Sequence, residues 1–152
     1  MNMSNIKLNK IFKTACIASD HAGYKLKEDI KNYLIDKNFS IFDVGPFNDE
    51  SVDYPDYAKK LGNRIKRKKS DMGILVCGSG TGMAISANKI KSIRAAVCYN
   101  LKSTRLSRQH NNANIITLGS RLINKKLSFK LVVTFLKTKF EGGRHLRRIK
   151  KI

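Results

Sequence analysis

Five short apolar segments alternate with longer segments of helical periodicity along this chain of 152 residues. The predicted strands are TACIAS (14–19), FSIFDVG (39–45), MGILVCG (72–78), IRAAVCY (93–99) and NIITLGS (114–120). Apolar residues recur at helical spacing in 22–37, in a segment that starts at Pro55, and in 83–90, 101–111 and 125–140. This alternation predicts an α/β fold, in which five parallel strands are joined by right-handed crossovers and covered by helices on both faces.

The chain is predicted to form one domain, because it has no internal repeat, no Pro- or Ser-rich linker and only two prolines. We assign residues 13–152 to this domain and residues 1–12 to a short basic lead-in. The lead-in has no apolar core of the secretory type, and no apolar run approaches the roughly 20 residues of a membrane-spanning helix. We therefore expect a cytoplasmic protein without a membrane partner.

The formal net charge is +20, from 31 Lys and Arg against 11 Asp and Glu. An excess of this size is compatible with binding to nucleic acid or to another anionic surface. The lysines are spread over the whole length, however, and do not form one patch interleaved with aromatic residues. Nucleic acid is therefore not the favoured partner.

The three cysteines all lie in predicted strands, and their odd number does not suggest a disulfide framework. Reduced thiols in a cytoplasmic protein are the simpler interpretation. Cys16 and Cys98 are predicted to be small buried hydrophobic residues. Cys77 differs from them because a glycine-rich loop follows it directly.

Ligands of open parallel sheets bind beyond the carboxyl ends of the strands, and the loop Cys77-Gly78-Ser79-Gly80-Thr81-Gly82 follows the most strand-like segment. Its glycines allow a tight turn that brings backbone amides close to a ligand, and amides at a helix start form an anion site. The loop matches neither the GxxxxGK[ST] nor the GxGxxG pattern, so a nucleotide is not favoured. A Cys77 thiolate would lie beside donors able to hold an oxyanion; the alternative is a purely structural turn.

Three other groups of residues are candidates for the same site, and each has a structural alternative. Asp20 and His21 follow the first predicted strand, where Asp20 could simply cap a helix. His110 ends a mostly polar helix and could be an ordinary surface residue. Arg144 and Arg148 would share a helix face and grip a phosphate, or belong to a solvated basic tail. The three histidines are scattered without HExxH or CxxC spacing, so we predict no metal site.

Together and in this order, these motifs resemble the ribose-5-phosphate isomerase B family, which also includes the galactose-6-phosphate isomerase subunits. The matching stretches are SDHAGYKLK (19–27), DVGPFNDESVDYPDYA (43–58), GILVCGSGTGMAISANK (73–89), IRAAVCY (93–99), LSRQHNNANIITLGSR (106–121) and FEGGRH (140–145). The resemblance covers about residues 13–148, with colinear motifs and no large insertion. Ser79 stands where the family often has Thr, so the hydroxyl is kept, and the segment before Lys13 is longer than expected for the family.

The resemblance implies a single-domain Rossmann-like sandwich that interconverts an aldose and a ketose phosphate through a cis-enediolate. It implies Cys77 as the base that moves the proton between C1 and C2, and His110 as the acid/base that opens the furanose ring. The loop amides from Gly78 to Gly82 and the Ser79 hydroxyl are implied as donors to the enediolate oxygen. The other implied contacts are to sugar hydroxyls (Asp20, Asn111), to the ring (Tyr54) and to the phosphate (His21, Arg121, Arg144, Arg148).

The resemblance also implies a homodimer or a dimer of dimers, in which active sites are shared across the interface and no metal or cofactor is used. Ribose 5-phosphate and ribulose 5-phosphate are the first substrate pair to consider. A hexose 6-phosphate, such as galactose or allose 6-phosphate, remains an alternative because pocket depth depends on packing. An anionic-surface or nucleic-acid binding module is a hypothesis of another class, but it would not need the catalytic residues.

Overall fold

A computed structural model of the chain describes residues 11–152, so the predicted lead-in lies outside the described residues except for Ile11 and Phe12. The strands are β1 (Thr14–Ser19), β2 (Ser40–Gly45), β3 (Met72–Cys77), β4 (Ala95–Val97) and β5 (Ile115–Gly119). They form one parallel sheet in the order β2-β1-β3-β5-β4, which confirms the predicted α/β fold. β4 is shorter than predicted and lies at an edge, whereas the central β3 is buried along its whole length.

The described residues also form six helices, α1 (Tyr24–Asp36), α2 (Tyr54–Lys66), α3 (Thr81–Ala87), α4 (Leu101–Asn111), α5 (Lys125–Lys137) and α6 (Gly143–Ile149). Five of them occupy the predicted helical segments; α4 has the predicted bounds, and the others have shifted ends. α4 and α5 begin after Asn100 and Asn124, whose side chains each accept a backbone N–H of the first turn. The last helix, α6, occupies the segment that the sequence left open between a helix and a solvated tail. None of the helices in residues 11–152 has the length and apolar character needed to span a membrane.

Apolar side chains pack on both faces of the sheet, as an α/β sandwich requires. On one face, Ile30, Leu34 and Phe135 from α1 and α5 cover Ile17, Ile74 and other inward residues of the strands. The opposite face is covered by α2 and α3, and its buried residues include Leu61, Met83 and Cys77. The alternation of side chains along β3 explains the division, because Ile74 and Val76 point to one core and Leu75 and Cys77 to the other.

The order of the strands creates a crevice between the carboxyl ends of β1 and β3. The chain leaves β1 toward β2 on one side, and it leaves β3 toward β4 on the other side. Ligands of open α/β sheets bind at such a switch point. The two strands remain tied there, because the backbone N–H of Asp20 donates to the carbonyl of Val76 at 3.1 Å.

A buried ion cluster holds the end of β2 against α1. The Lys27 ammonium is fully buried and lies 2.8 Å from carboxylate oxygens of both Asp43 and Glu28, and Lys31 contacts the same two acids. Burial alone would raise the pKa of Asp43, but hydrogen bonds from Lys27, Lys31 and the Gly45 amide outweigh that effect and lower it. The cluster thereby fixes the end of β2, from which the loop toward α2 starts.

Replacing Asp43 by Asn is expected to lower the free energy of unfolding by roughly 3 kcal/mol, the lower end of the cost of breaking a buried ion pair, because Lys27 keeps Glu28. A carboxylate whose pKa falls on folding stabilises the protein above its unfolded pKa, and that contribution disappears as the pH falls through the folded pKa. Wild-type stability should therefore decline below about pH 4 more steeply than that of the variant. Urea unfolding from pH 7 to acid measures both effects.

The matched control for this experiment is Asp29→Asn, which removes a carboxylate paired with the largely exposed Lys125. An exposed pair of this kind contributes less than about 1 kcal/mol, so this variant should unfold almost like the wild type. Equal losses from Asp43→Asn and Asp29→Asn would contradict a special role for the buried cluster.

Candidate active site

A cavity of about 280 Å³ opens at the crevice between the carboxyl ends of the strands. Its walls come from the ends of β1, β3 and β5 and from the starts of α2 and α3. The lining residues are Asp20, Tyr54, Cys77, Gly78, Ser79, Gly82, Arg121 and Leu122. The structure thus brings together seven of the residues that the sequence singled out.

The loop after β3 bends back on itself around the Cys77 sulfur. Gly80 has a φ of 78°, a left-handed conformation that glycine adopts without strain, and its N–H donates to Cys77 Sγ at 3.1 Å. The N–H of Thr81 donates to the Ser79 hydroxyl oxygen at 3.3 Å. Two of the five loop amides are therefore already engaged inside the loop. The predicted role of all five as donors to one substrate oxygen needs this correction: the Gly80 amide serves the cysteine sulfur.

Asp20, His21 and Tyr54 reach the same edge of the sheet in different ways. Asp20 is buried, and its Oδ1 accepts the N–H of Gly23 at 2.9 Å, so it supports the turn into α1 while it also lines the cavity. His21 is exposed beside the cavity, and its Nδ1 accepts the N–H of Val52 at 3.3 Å. The Tyr54 ring lies against Gly82, where a β-carbon would come within 2.7 Å of it, so only glycine leaves room for the ring.

Arg121 supplies the only guanidinium among the residues that line this cavity. Arg121 follows β5, and its backbone N–H donates to the Gly78 carbonyl at 3.0 Å. Its side chain lies over Gly78, with Nη1 3.1 Å from where a β-carbon would stand. A positive charge is thus placed directly beside the loop that starts at Cys77.

The other predicted site residues lie near the amino-terminal ends of the strands, opposite the cavity. α4 runs back from the carboxyl edge, and soon after its end the Asn114 carbonyl accepts the N–H of Gly73, near the start of β3. Cys77 ends that strand about 13 Å further on, at roughly 3.3 Å per residue. His110 and Asn111 at the end of α4, and Arg144 and Arg148 on the adjoining α6, therefore form a second group. Within one chain, this group does not reach the Cys77 cavity.

His110 has neighbours that the sequence did not indicate. Its ring stacks on that of His145, with centroids 4.2 Å apart and an interplanar angle of 9°. Glu141 Oε2 lies 3.6 Å from His145 Nε2 and 4.0 Å from His110 Nε2. Loss of water contact, together with the neighbouring His110 and Arg144, lowers the pKa of His145. The histidines that looked scattered along the chain thus include a close pair.

Sequence reasoning missed Leu122 in the cavity wall and both Glu141 and His145 beside His110. Leu122 directly follows Arg121, the last residue of the matching stretch 106–121, and extending that stretch by one residue would have included it. Glu141 and His145 belong to the FEGGRH stretch, but only its arginine was given a role. Their contact with His110 depends on the packing of α6 against α4, which no local pattern reports.

Comparison with known proteins shows similarity over nearly the whole chain. A sequence model of the family described as Ribose/Galactose Isomerase matches residues 15–152. Ribose-5-phosphate isomerase B of Escherichia coli strain K12 is 39% identical over 140 residues, which cover 92% of this chain and 94% of that protein.

Two solved structures share the fold. That of a ribose 5-phosphate isomerase from Thermotoga maritima has a TM-score of 0.90 at 54% identity and covers 91% of this chain and 95% of that one. Ribose-5-phosphate isomerase B from Mycoplasma genitalium, solved with bound ribulose 5-phosphate, has a TM-score of 0.87 at 44% identity and covers 91% and 92%.

The matched range contains both groups of candidate residues, from Asp20 in the cavity to Arg148 on α6. Fold, sequence and motif order therefore agree over one uninterrupted region rather than at a single loop. This chain belongs to the ribose/galactose isomerase family.

Proposed function

We propose that this chain interconverts ribose 5-phosphate and ribulose 5-phosphate, with Cys77 as the base. The observation that carries the proposal is the Cys77 sulfur at the wall of the carboxyl-edge cavity, held by the Gly80 amide beside Asp20, Ser79 and Arg121. The Mycoplasma genitalium relative was solved with ribulose 5-phosphate, the ketose of this pair. Family membership and the chemistry of the cavity support the same reaction.

The proton is transferred by the Cys77 thiolate. In the direction from aldose to ketose, the thiolate takes the proton from C2, and the electron pair of that bond forms a C1–C2 double bond while negative charge develops on O1. The thiol then returns the proton to C1, and the O2 proton is lost as the C2 carbonyl forms and O1 is protonated. The Gly80 N–H stabilises the thiolate form through a charge-assisted hydrogen bond.

The developing enediolate charge is met by donors fixed in the loop. The Ser79 hydroxyl oxygen already accepts the Thr81 N–H, which orients its own O–H toward other acceptors. The Arg121 guanidinium beside Gly78 adds a positive charge at short range. Donors that are already in place cost no reorganisation when the charge appears, which is why they stabilise a transition state efficiently.

A complete site takes its second group of residues from another copy of the chain. Cys77, Asp20 and Tyr54 lie at the carboxyl edge, whereas His110 and Asn111 lie at the amino edge of the same chain. His110 can therefore open the furanose ring above Cys77 only if it belongs to a partner subunit. This geometry supports a homodimer or a dimer of dimers with shared sites.

The phosphate is bound between the two copies. His21 and Arg121 approach it from the cavity side, and Arg144 and Arg148 approach it from the partner's α6. Because His21 Nδ1 accepts the Val52 N–H, the neutral ring carries its proton on Nε2 and can donate it to a phosphate oxygen. The two exposed arginines lie one helical turn apart and can bind the phosphate together.

We propose the cytoplasm as the place of action. The three cysteines are unpaired and buried, which suits a reducing compartment. The substrate is a phosphorylated sugar, whose charge keeps it on the side of a membrane where it is made.

Cys77→Ser should keep the fold and lose turnover of ribose 5-phosphate by at least the roughly 10²–10⁴-fold that a lost general base costs. Cys98→Ala is the matched control, because Cys98 is equally buried but lies outside the cavity, and it should stay active. Assays of purified protein with ribose, galactose and allose phosphates also test the substrate. Near-normal turnover by Cys77→Ser would show that the base is another group.

Arg144→Ala and Arg148→Ala should each weaken substrate binding by about 2–5 kcal/mol, the cost of removing one partner from a desolvated charge pair. Lys150→Ala and Lys151→Ala, in the same basic segment, should change it little. The measurement is KM together with a direct binding titration of ribose 5-phosphate. Equal small effects from all four variants would mean that the arginines contribute only general positive charge.

Mixing two inactive variants tests the shared site. Cys77→Ala and His110→Ala homodimers should each be nearly inactive, since every site lacks one group. In a mixed dimer, one site lacks both groups and the other has both intact. Refolding equal amounts together gives about half mixed dimers by random pairing, so about a quarter of the wild-type activity should return.

Sites built within a single chain predict no recovery, because every site would still lack one group. Mass spectrometry of the refolded mixture establishes whether subunits were exchanged. A mixture that has exchanged subunits and remains inactive would rule out the shared site.

A further inference from the structure

His110, Glu141 and His145 form a compact group of three side chains that the reaction uses only in part. His110 ends α4, Glu141 lies in the loop between α5 and α6, and His145 is in α6. The backbone holds this loop in place, because the Glu141 N–H donates to the Gln109 carbonyl at 3.1 Å. One ligand atom from each of the three residues can be chosen so that all lie within 4.8 Å of one another.

Two imidazoles and one carboxylate are a donor set that binds Zn²⁺ and similar transition metal ions. With metal–ligand distances of roughly 2.0–2.2 Å, ligand atoms around a tetrahedral ion are about 3.4 Å apart. Glu141 Oε2 lies 3.6 Å from His145 Nε2 and 4.0 Å from His110 Nε2. To reach this spacing, the His145 and His110 nitrogens must approach this oxygen by about 0.2 and 0.6 Å, respectively.

The main adjustment concerns ring orientation. The two rings are almost parallel, at 9°, so their in-plane lone pairs do not yet converge on one point. His145 is buried, whereas His110 and Glu141 are 38% and 49% exposed at the side chain. The two exposed side chains can turn toward the fixed one without disturbing the core.

We propose that His110, Glu141 and His145 bind a divalent transition metal ion such as Zn²⁺, and that the bound ion inhibits the enzyme by occupying His110. The inhibition rests on the proposed function, in which His110 opens the sugar ring; the binding of the ion does not. A three-ligand site leaves a fourth position for water. The ion is a regulator or an inhibitor and has no part in the proton transfer at Cys77.

The surroundings limit which ions can bind. Arg144 and Arg148 lie close enough to interact with His145, and their charge opposes any cation. Mg²⁺ and Ca²⁺ prefer several oxygen ligands, and this group offers one carboxylate, so these ions should not bind. Zn²⁺, Ni²⁺ and Cu²⁺ gain enough from imidazole ligands to compete with the positive field.

Metal titration of the full chain tests the site without an activity assay. Calorimetry with Zn²⁺, on a Cys77→Ser background that removes the cavity thiol, should show one ion per chain. Glu141→Gln should lower the affinity by more than the roughly 10–100-fold that loss of a mere supporting group costs. Asp36→Asn removes a different exposed carboxylate and should leave the affinity unchanged. His145→Ala should lower the affinity in the same way. If this buried histidine variant fails to fold, Glu141→Gln still tests the site.

Unchanged Zn²⁺ affinity in Glu141→Gln, or no saturable binding at all, would overturn the site. In activity assays, Zn²⁺ should inhibit the wild type, and EDTA should restore the rate while leaving the metal-free rate unaltered. Each variant is compared with its own metal-free rate, and Glu141→Gln should need at least tenfold more Zn²⁺. Binding without inhibition would overturn the regulatory half of the proposal. Binding by a protein without isomerase activity would instead overturn the proposed function and leave the metal site intact.

Discussion

β1 and β3 pair along nearly their whole length, yet the chain leaves their carboxyl ends in opposite directions. The hydrogen bond from the Asp20 N–H to the Val76 carbonyl keeps the two ends together at that point. A crevice opens between the diverging connections, and it is the place where polar side chains can face a ligand without crossing the hydrophobic core. The cavity beside Cys77 and the rigid loop around its sulfur both depend on this pairing.

The rim of the crevice is kept in position by charges buried further along the sheet. Lys27 has no exposed surface and is surrounded by the carboxylates of Asp43 and Glu28. Removing such charges from water costs free energy that the ion pairs offset only when their geometry is good. The cluster also fixes a position. Asp43 accepts the Gly45 N–H and thereby holds the start of the loop that leads to Tyr54.

The same parallel topology separates the two halves of the candidate site. Every helix that follows a strand must run back to the amino edge before the next strand can start, so the end of α4 carries His110 away from Cys77. The charged residues there form a strongly positive surface with Arg144 and Arg148 exposed. In the proposed shared site, this surface holds the phosphate at the carboxyl ends of the strands of another copy. The contact of His110 with Glu141 and His145 places the proposed metal ligands at the same surface.

The alternation of apolar runs and helical periodicity was sufficient to predict the sheet, the helices on both faces and the end of the strands at which the cavity opens, because short-range patterns indicate which residues face a core. The motif at Cys77 likewise identified the residue that lines the cavity, since glycine spacing and the cysteine are local features. The direction of the Gly80 amide, the burial of Lys27 and the stacking of His110 on His145 depend on residues that are far apart in the chain. Only the tertiary structure decided those contacts, because they arise from how the helices pack on the sheet, and a periodic pattern carries no information about which distant side chain completes a contact.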